Sequence, residues 1–189
     1  MLDAPRKLVG RKVGELSHQP LGADLQRLSV FRPQESVEAL RRLGLPMHSL
    51  KWVRGGFTDN ALSDQQSQLT EFIGRYLRPG DVVFSTWRKD GPADHEVVGR
   101  ASFDAAQKAG ATYHDVPVWA WHWPEREQQM IPWERARKLR LDTWTVARKS
   151  HATHAYASQL KGEPAIGIAP LLPPVLLERM RLPYEIVFF

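Results

Sequence analysis

The segment Asp81-Val-Val-Phe-Ser-Thr-Trp87 constrains this chain more than any other. Pro79-Gly80 stops whatever precedes it, and a polar turn, Arg88 to Ala93, follows. Val82, Val83 and Phe84 do not alternate with polar residues, which suits a strand covered on both faces, as in a parallel sheet. The residues from Asp94 to Ala109 then read as a helix. Val97, Val98, Ala101 and Ala105 mark its buried side, with Asp94 as N-cap and Gly110 just past its end. Thr112 to Trp121 reads as the next strand, although Pro117 removes one ladder donor. Strand, helix, strand predicts an α/β domain with a mostly parallel sheet. Such sheets place their sites outside the C-terminal strand ends, here Trp87 to His95 and Trp119 to Trp123.

The rest of the chain fits one domain spanning residues 1–189. Leu62, Leu69, Phe72, Ile73, Tyr76 and Leu77 keep helical spacing. A short helix is expected from Pro33 to Leu43, ended by Gly44, and a strand from Met47 to Val53. Residues 1–13 are irregular, with at best a weak strand from Leu8 to Val13, and residues 14–33 read as loop. Trp133 to Gln159 reads as a helix whose basic face carries Arg135, Arg137, Lys138, Arg140, Arg148 and Lys149. A loop from Pro164 to Pro174, a helix from Val175 to Met180 and a strand from Tyr184 to Phe189 complete the chain.

Composition excludes whole classes. With no cysteine, disulfide scaffolds, Cys-zinc sites and thiol catalysis are ruled out; the lack fits a reducing compartment, although many secreted proteins share it. No stretch approaches the ~18 apolar residues of a membrane span, and no apolar signal follows the N-terminal basic residues. The expectation is a soluble, cytoplasmic protein. The net charge of +5 is too small to imply a nucleic-acid partner, so the basic face reads as solvated surface.

Chemistry concentrates around His95. A histidine in the first turn of a helix that follows a strand projects into the crevice above the sheet, where one ring nitrogen can ligate a metal. The structural alternative is that Asp94 caps the helix and His95 is a surface residue. Trp119, Trp121 and Trp123 alternate at strand period, so one face could stack on a sugar ring or pack as core. His151 and His154 are a helical i, i+3 pair without an evident third ligand. His114 and Asp115 point to opposite faces of a strand and do not form a dyad.

The stretch Trp87-Arg-x-Asp-Gly-x-x-Asp-His95-x-x-Val-Gly resembles the second signature of the PIG-L/LmbE-like de-N-acetylases. Gly14-Glu-Leu-Ser-His18, Glu35 to Pro46, Pro117 to Trp123 and Tyr156 to Gln159 are similar to further blocks of that family, in the same order. The resemblance implies a Rossmann-type three-layer sandwich and zinc-dependent removal of acetyl from an N-acetylglucosamine-type substrate. It implies His95 as a metal ligand, Trp87, Arg88, Asp90, His122 and Tyr156 as substrate-binding residues, and Asp94 as an orienting residue. The implied partner is a sugar-containing small molecule or glycoconjugate.

Two departures change that expectation. The family's His-Pro-Asp-Asp-Glu block supplies two zinc ligands and the general base, and the chain contains no such block. The resemblance therefore implies that the first strand and most of the first helix are missing. Where the family has His-Pro-Asp-His, this chain has Pro92-Ala-Asp-His95, which removes an oxyanion donor. Losing a base and an oxyanion donor each costs roughly 10²-fold or more in rate. His18, His114 and His122, with Glu15, Asp90 and Asp94, are at no recognised ligand spacing that would replace the lost set. The expectation is either an incomplete enzyme whose gene starts upstream or a degenerate family member, and in both versions the chain as written is inactive or impaired and does not hold zinc tightly. The alternative is a non-catalytic glycan- or partner-binding module, able to self-associate through an exposed sheet edge.

Overall fold

A computed structural model describes residues 22–162 and 169–189. The expected strand at Leu8 to Val13, the block containing Glu15 and His18, and most of the early part of the 164–174 loop lie outside them.

The element order is α1 (Gly22–Arg42), α2 (Gln66–Gly74), β1 (Val82–Thr86), α3 (Ala93–Ala109), β2 (Thr112–Val116), α4 (Glu125–Gln128), β3 (Ala136–Arg140), α5 (Thr143–Thr153), α6 (Ala157–Leu160), α7 (Pro174–Met180) and β4 (Tyr184–Phe188), with short 3-10 turns between. The fold is mixed α/β. The sheet runs β1-β2-β4-β3. β1 and β2 are parallel, joined through α3, while β4 is antiparallel to both β2 and β3. The sheet is therefore mixed rather than mostly parallel. The chain returns through α7 from the far end, so the last strand enters reversed.

The β1–α3–β2 unit forms where the sequence placed it. Gly110 adopts φ 69°, the left-handed conformation that ends α3 after Ala109. Helix and strand approach closely at Gly99, where a Cβ would overlap the Thr86 carbonyl oxygen and lie 3.1 Å from Arg88 Cα. The strand is covered on one face only. Val82 and Phe84 are 56% and 54% exposed, because α3 packs on the other face, where Ser85 meets Ser102.

Four other expectations change. Residues 22–33 are not loop: α1 runs from Gly22 to Arg42 with Pro33 inside it. A proline there removes one helical hydrogen bond without ending the helix, and the later part of α1 is held by packing of Ala39 on Ala152 and Ala155. Met47 to Val53 is not a strand. The Ser49 N–H and hydroxyl both donate to the Pro46 carbonyl, which closes a 3-10 turn. Trp133 to Gln159 is not one helix. Ala136–Arg140 pairs with β4 from Ala136↔Phe188 to Arg140↔Tyr184, and a cap at Asp142 then starts α5. Thr112 to Trp121 is strand only as far as Val116; Trp119–His122 is a 3-10 turn.

Three apolar clusters hold these layers. Leu62, Leu69, Val97 and Ala101 join α2 to α3. Trp87, Ala120, Ile131 and Phe188 fill the space beyond the ends of β1 and β2. Ala39, Ala152 and Ala155 join α1 to α5. Glu35 adds a polar tie, accepting from the Ser158 N–H at 2.8 Å and its hydroxyl at 2.7 Å. No helix among the described residues is long and apolar enough to cross a membrane.

Gly99→Ala should destabilise the chain by about 1–3 kcal/mol in urea unfolding, the usual range for overpacking. Gly74→Ala, where nothing lies within 4 Å of a Cβ, should be neutral or stabilising in the same assay. At the start of α5 the Asp142 carboxylate accepts the Thr145 N–H at 2.7 Å, which holds its carboxyl below the usual range. A depressed folded pKa means the cap is intact above the ordinary carboxylate pKa of ~3.9 and is lost as pH falls through the folded value. Amide-exchange protection at Thr145 and Val146 should fall on acidification. Asp142→Asn, which caps without titrating, should remove that dependence.

Candidate functional site

The turn after β1 is built around a buried carboxylate. Asp90 is fully buried. Its Oδ1 accepts the Val118 N–H at 2.9 Å and the Ala120 N–H at 3.0 Å, and its Oδ2 accepts the Trp119 N–H at 2.7 Å. His95 Nδ1 lies 2.7 Å from the same Oδ2. Gly91, at φ 110°, makes the reversal that follows Asp90, in a backbone region that side chains rarely adopt. A Cβ there would also come 3.3 Å from Trp123 Nε1.

His95 is fixed from both sides. It is the third residue of α3, and its carbonyl accepts the Thr86 hydroxyl at 2.7 Å, so the strand end and the helix start are tied together. Asp90 offers only acceptor oxygens, so Nδ1 donates. In the neutral ring, Nε2 then carries the free lone pair, and it has no hydrogen-bond partner among the described residues. A carboxylate that orients a histidine in this way is the usual support behind a metal-ligating imidazole. The His95 side chain is 31% exposed.

One aromatic ring borders it, and a second stacks on that one. Trp119 stands edge-on to His95, with ring centroids 6.3 Å apart at 84°. His122 stacks on the other side of that arrangement, 4.2 Å from Trp119 at 24°. Its Nδ1 is 3.3 Å from the Trp119 carbonyl, and its Nε2 is buried without a partner among the described residues.

The structure brings Asp90 and His95 together, places His122 one ring further on behind Trp119, and leaves other residues elsewhere. Asp90 is enclosed and holds His95, so it has no surface to offer a substrate. Trp87 is 4% exposed and packs against Phe188 and Trp123. Arg88 is spent on Asp115: its Nε is 3.2 Å from Oδ1 and its Nη2 2.9 Å from Oδ2, with the guanidinium over Phe103. That carboxylate holds the guanidinium pKa above its ordinary value. Burial, with the Asp115 charge beside it, pushes the Tyr113 hydroxyl well above the usual phenol range. Asp94 does not cap α3, whose N-cap is Pro92; it accepts the Asn60 and Leu62 N–H groups at 2.6 and 3.3 Å. Tyr156 packs beside Ala39 and Ala152, away from His95. His114 lies under Phe189, and His154 Nδ1 meets the Ser150 carbonyl. The tryptophans do not share a strand face, because the 3-10 turn sends Trp119 toward His122, Trp121 toward Trp133 and Trp123 toward Trp87.

A zinc site that hydrolyses an amide needs about three protein ligands and an open position. Among the described residues no group of three His, Asp or Glu side chains could hold a metal. His95 with Asp90 fits one ligand and its orienting partner. The described set does not fit a complete site.

A family model for the GlcNAc-PI de-N-acetylases, PIG-L, matches residues 8–106, just over half of the chain. The chain belongs to the PIG-L family. The match takes in α2, β1, the Asp90 turn and His95, and ends inside α3. Trp119 and His122 lie beyond it. No curated protein and no solved structure gives a significant match.

The three N–H groups at 118–120 were not legible in the sequence, because a backbone donor leaves no residue-type signal. Asp90-Gly91 marked a turn and nothing more. Asp90→Asn should lower stability by at least about 2 kcal/mol in denaturant unfolding, since an amide NH₂ meets donors where a carboxylate accepted them. His95→Ala, at a part-exposed position, should cost less in the same measurement.

Proposed function

We propose that this chain is a PIG-L-type scaffold for an N-acetylated amino sugar, in which His95 is the metal-facing group and hydrolysis is lost or severely impaired. The observation that carries this is the Asp90–His95 pair. It presents one free imidazole nitrogen at the C-terminal end of a parallel strand, where α/β sheets place their ligands. When bound in a complete site, zinc would polarise the amide carbonyl and supply hydroxide near neutral pH. The described residues supply one ligand toward it, too few to hold the metal for a hydrolytic step. The impaired reading draws on Pro92, which stands where the family carries an oxyanion-stabilising histidine.

The Trp119 and His122 rings form the rim on which a sugar face would stack. The β1–α3–β2 unit supports a Rossmann-type three-layer sandwich, with exposed Val82 and Phe84 marking the face that a second layer would cover. The same apolar face favours a second reading, a scaffold that binds a partner chain or a second copy of itself. A cytoplasmic location belongs with the first reading and draws on the absence of cysteine.

The test is metal content after dialysis against zinc, measured beside acetate release from an N-acetylglucosamine conjugate. Substoichiometric zinc and no acetate release above a His95→Ala control are expected. Stoichiometric zinc that is lost on His95→Ala, with turnover, would overturn the impaired reading and leave an enzyme. Sedimentation of the same samples tests self-association, which a concentration-independent monomer would exclude.

A further inference from the structure

A cleft lies beside the β3–β4 ladder and uses neither His95 nor Asp90. Its volume is about 230 Å³, and Trp121, Trp133, Lys138, Arg179, Tyr184 and Glu185 are among the residues that line it. Clefts for drug-sized molecules run from about 300 Å³ upward, so this one suits a ligand of a single ring.

Its walls are aromatic and its free charge is positive. Trp121 and Trp133 have centroids 6.2 Å apart at 37°, an open angle between two ring faces. The Arg179 guanidinium stacks on Trp121 at 3.8 Å, and Lys138 Nζ lies 4.5 Å over the Tyr184 ring. Glu185, the acidic residue of the lining, is ion-paired to Lys149. Neither Arg179 nor Lys138 has a carboxylate partner among the described residues. A guanidinium stacked by its face keeps its in-plane N–H fork free, which is the geometry that grips a carboxylate or phosphate with two bonds. Burial lowers the Arg179 pKa, as expected of a cation taken from water without a counter-charge.

We propose that this cleft binds an anionic group carried on a single ring, with the anion in the fork of Arg179 beside Lys138 and the ring against Trp121 and Trp133. The ring is held by area and the head by charge, so neither half alone binds well.

The test is titration of the whole chain by calorimetry and tryptophan fluorescence with phenyl phosphate, glucose 6-phosphate, inorganic phosphate and phenol. One of the two ring phosphates should saturate a single site, and the tighter of them identifies the ring as aromatic or sugar. Inorganic phosphate and phenol should each bind at least about tenfold more weakly. Arg179→Met should weaken the ring phosphate by at least about tenfold, and Arg179→Lys should also weaken it, because it keeps the charge and loses the fork. Far-UV circular dichroism identifies any variant that misfolds, and the lysine variant then decides. Equal affinity for inorganic phosphate, no saturable binding, or binding that depends on His95 and not on Arg179 would overturn the proposal. The zinc assay can fail or succeed without altering this result.

Discussion

Burying a carboxylate costs several kcal/mol unless its oxygens are well paired, and Asp90 is fully buried at the end of β1. Three backbone N–H groups and His95 Nδ1 offset that cost. The bonds join the turn after β1 and the first turn of α3, which follow one another, to the 3-10 turn after β2, about thirty residues further on. Each bond also fixes a position. The N–H groups of Val118, Trp119 and Ala120 must converge on one point, so the chain after β2 leaves the strand there. That departure sets where Trp119, Trp121, His122 and Trp123 point, and hence the aromatic edge beside His95 and one wall of the cleft at Arg179.

Arg88 and Asp115 show the same physics with a different result. Asp115 is buried as deeply, but its donors include a guanidinium and the Tyr113 hydroxyl, which occupy it on both oxygens. That network binds β2 to the turn after β1 and leaves little to offer a ligand. Asp90 is paired instead with an imidazole, which has a second nitrogen on the far side of the ring. A buried carboxylate thus becomes structural or site-forming according to whether its partner has an unused atom. Arg179 is the third case, a part-buried cation whose partner is an aromatic face rather than an acid.

Much of the middle of the chain was legible. The strand at 82–86, the helix at 93–109 and the strand from Thr112 follow from runs, period and the glycine at 110, all of which act within a few residues of themselves. Family membership was legible for the same reason: the Trp87-to-His95 signature is a contiguous turn whose geometry is local. Ala136–Arg140 was not. Ala-Arg-Lys-Leu-Arg is a good helical sequence in isolation, yet it pairs with residues 184–188, nearly fifty positions later. Its side chains are mostly exposed, as expected for a charged edge strand.

The sequence by itself determined the α/β class, the family and the presence of a histidine at the mouth of β1, since each depends on residue types placed close together along the chain. Only the tertiary structure decided that the sheet is mixed, that Arg88 and Asp90 are committed to internal partners, that Tyr156 stands apart, and that Arg179 meets Trp121. Those outcomes depend on which distant segments share a surface. Residue type states what a side chain can bond to, and packing decides which of the available partners it meets.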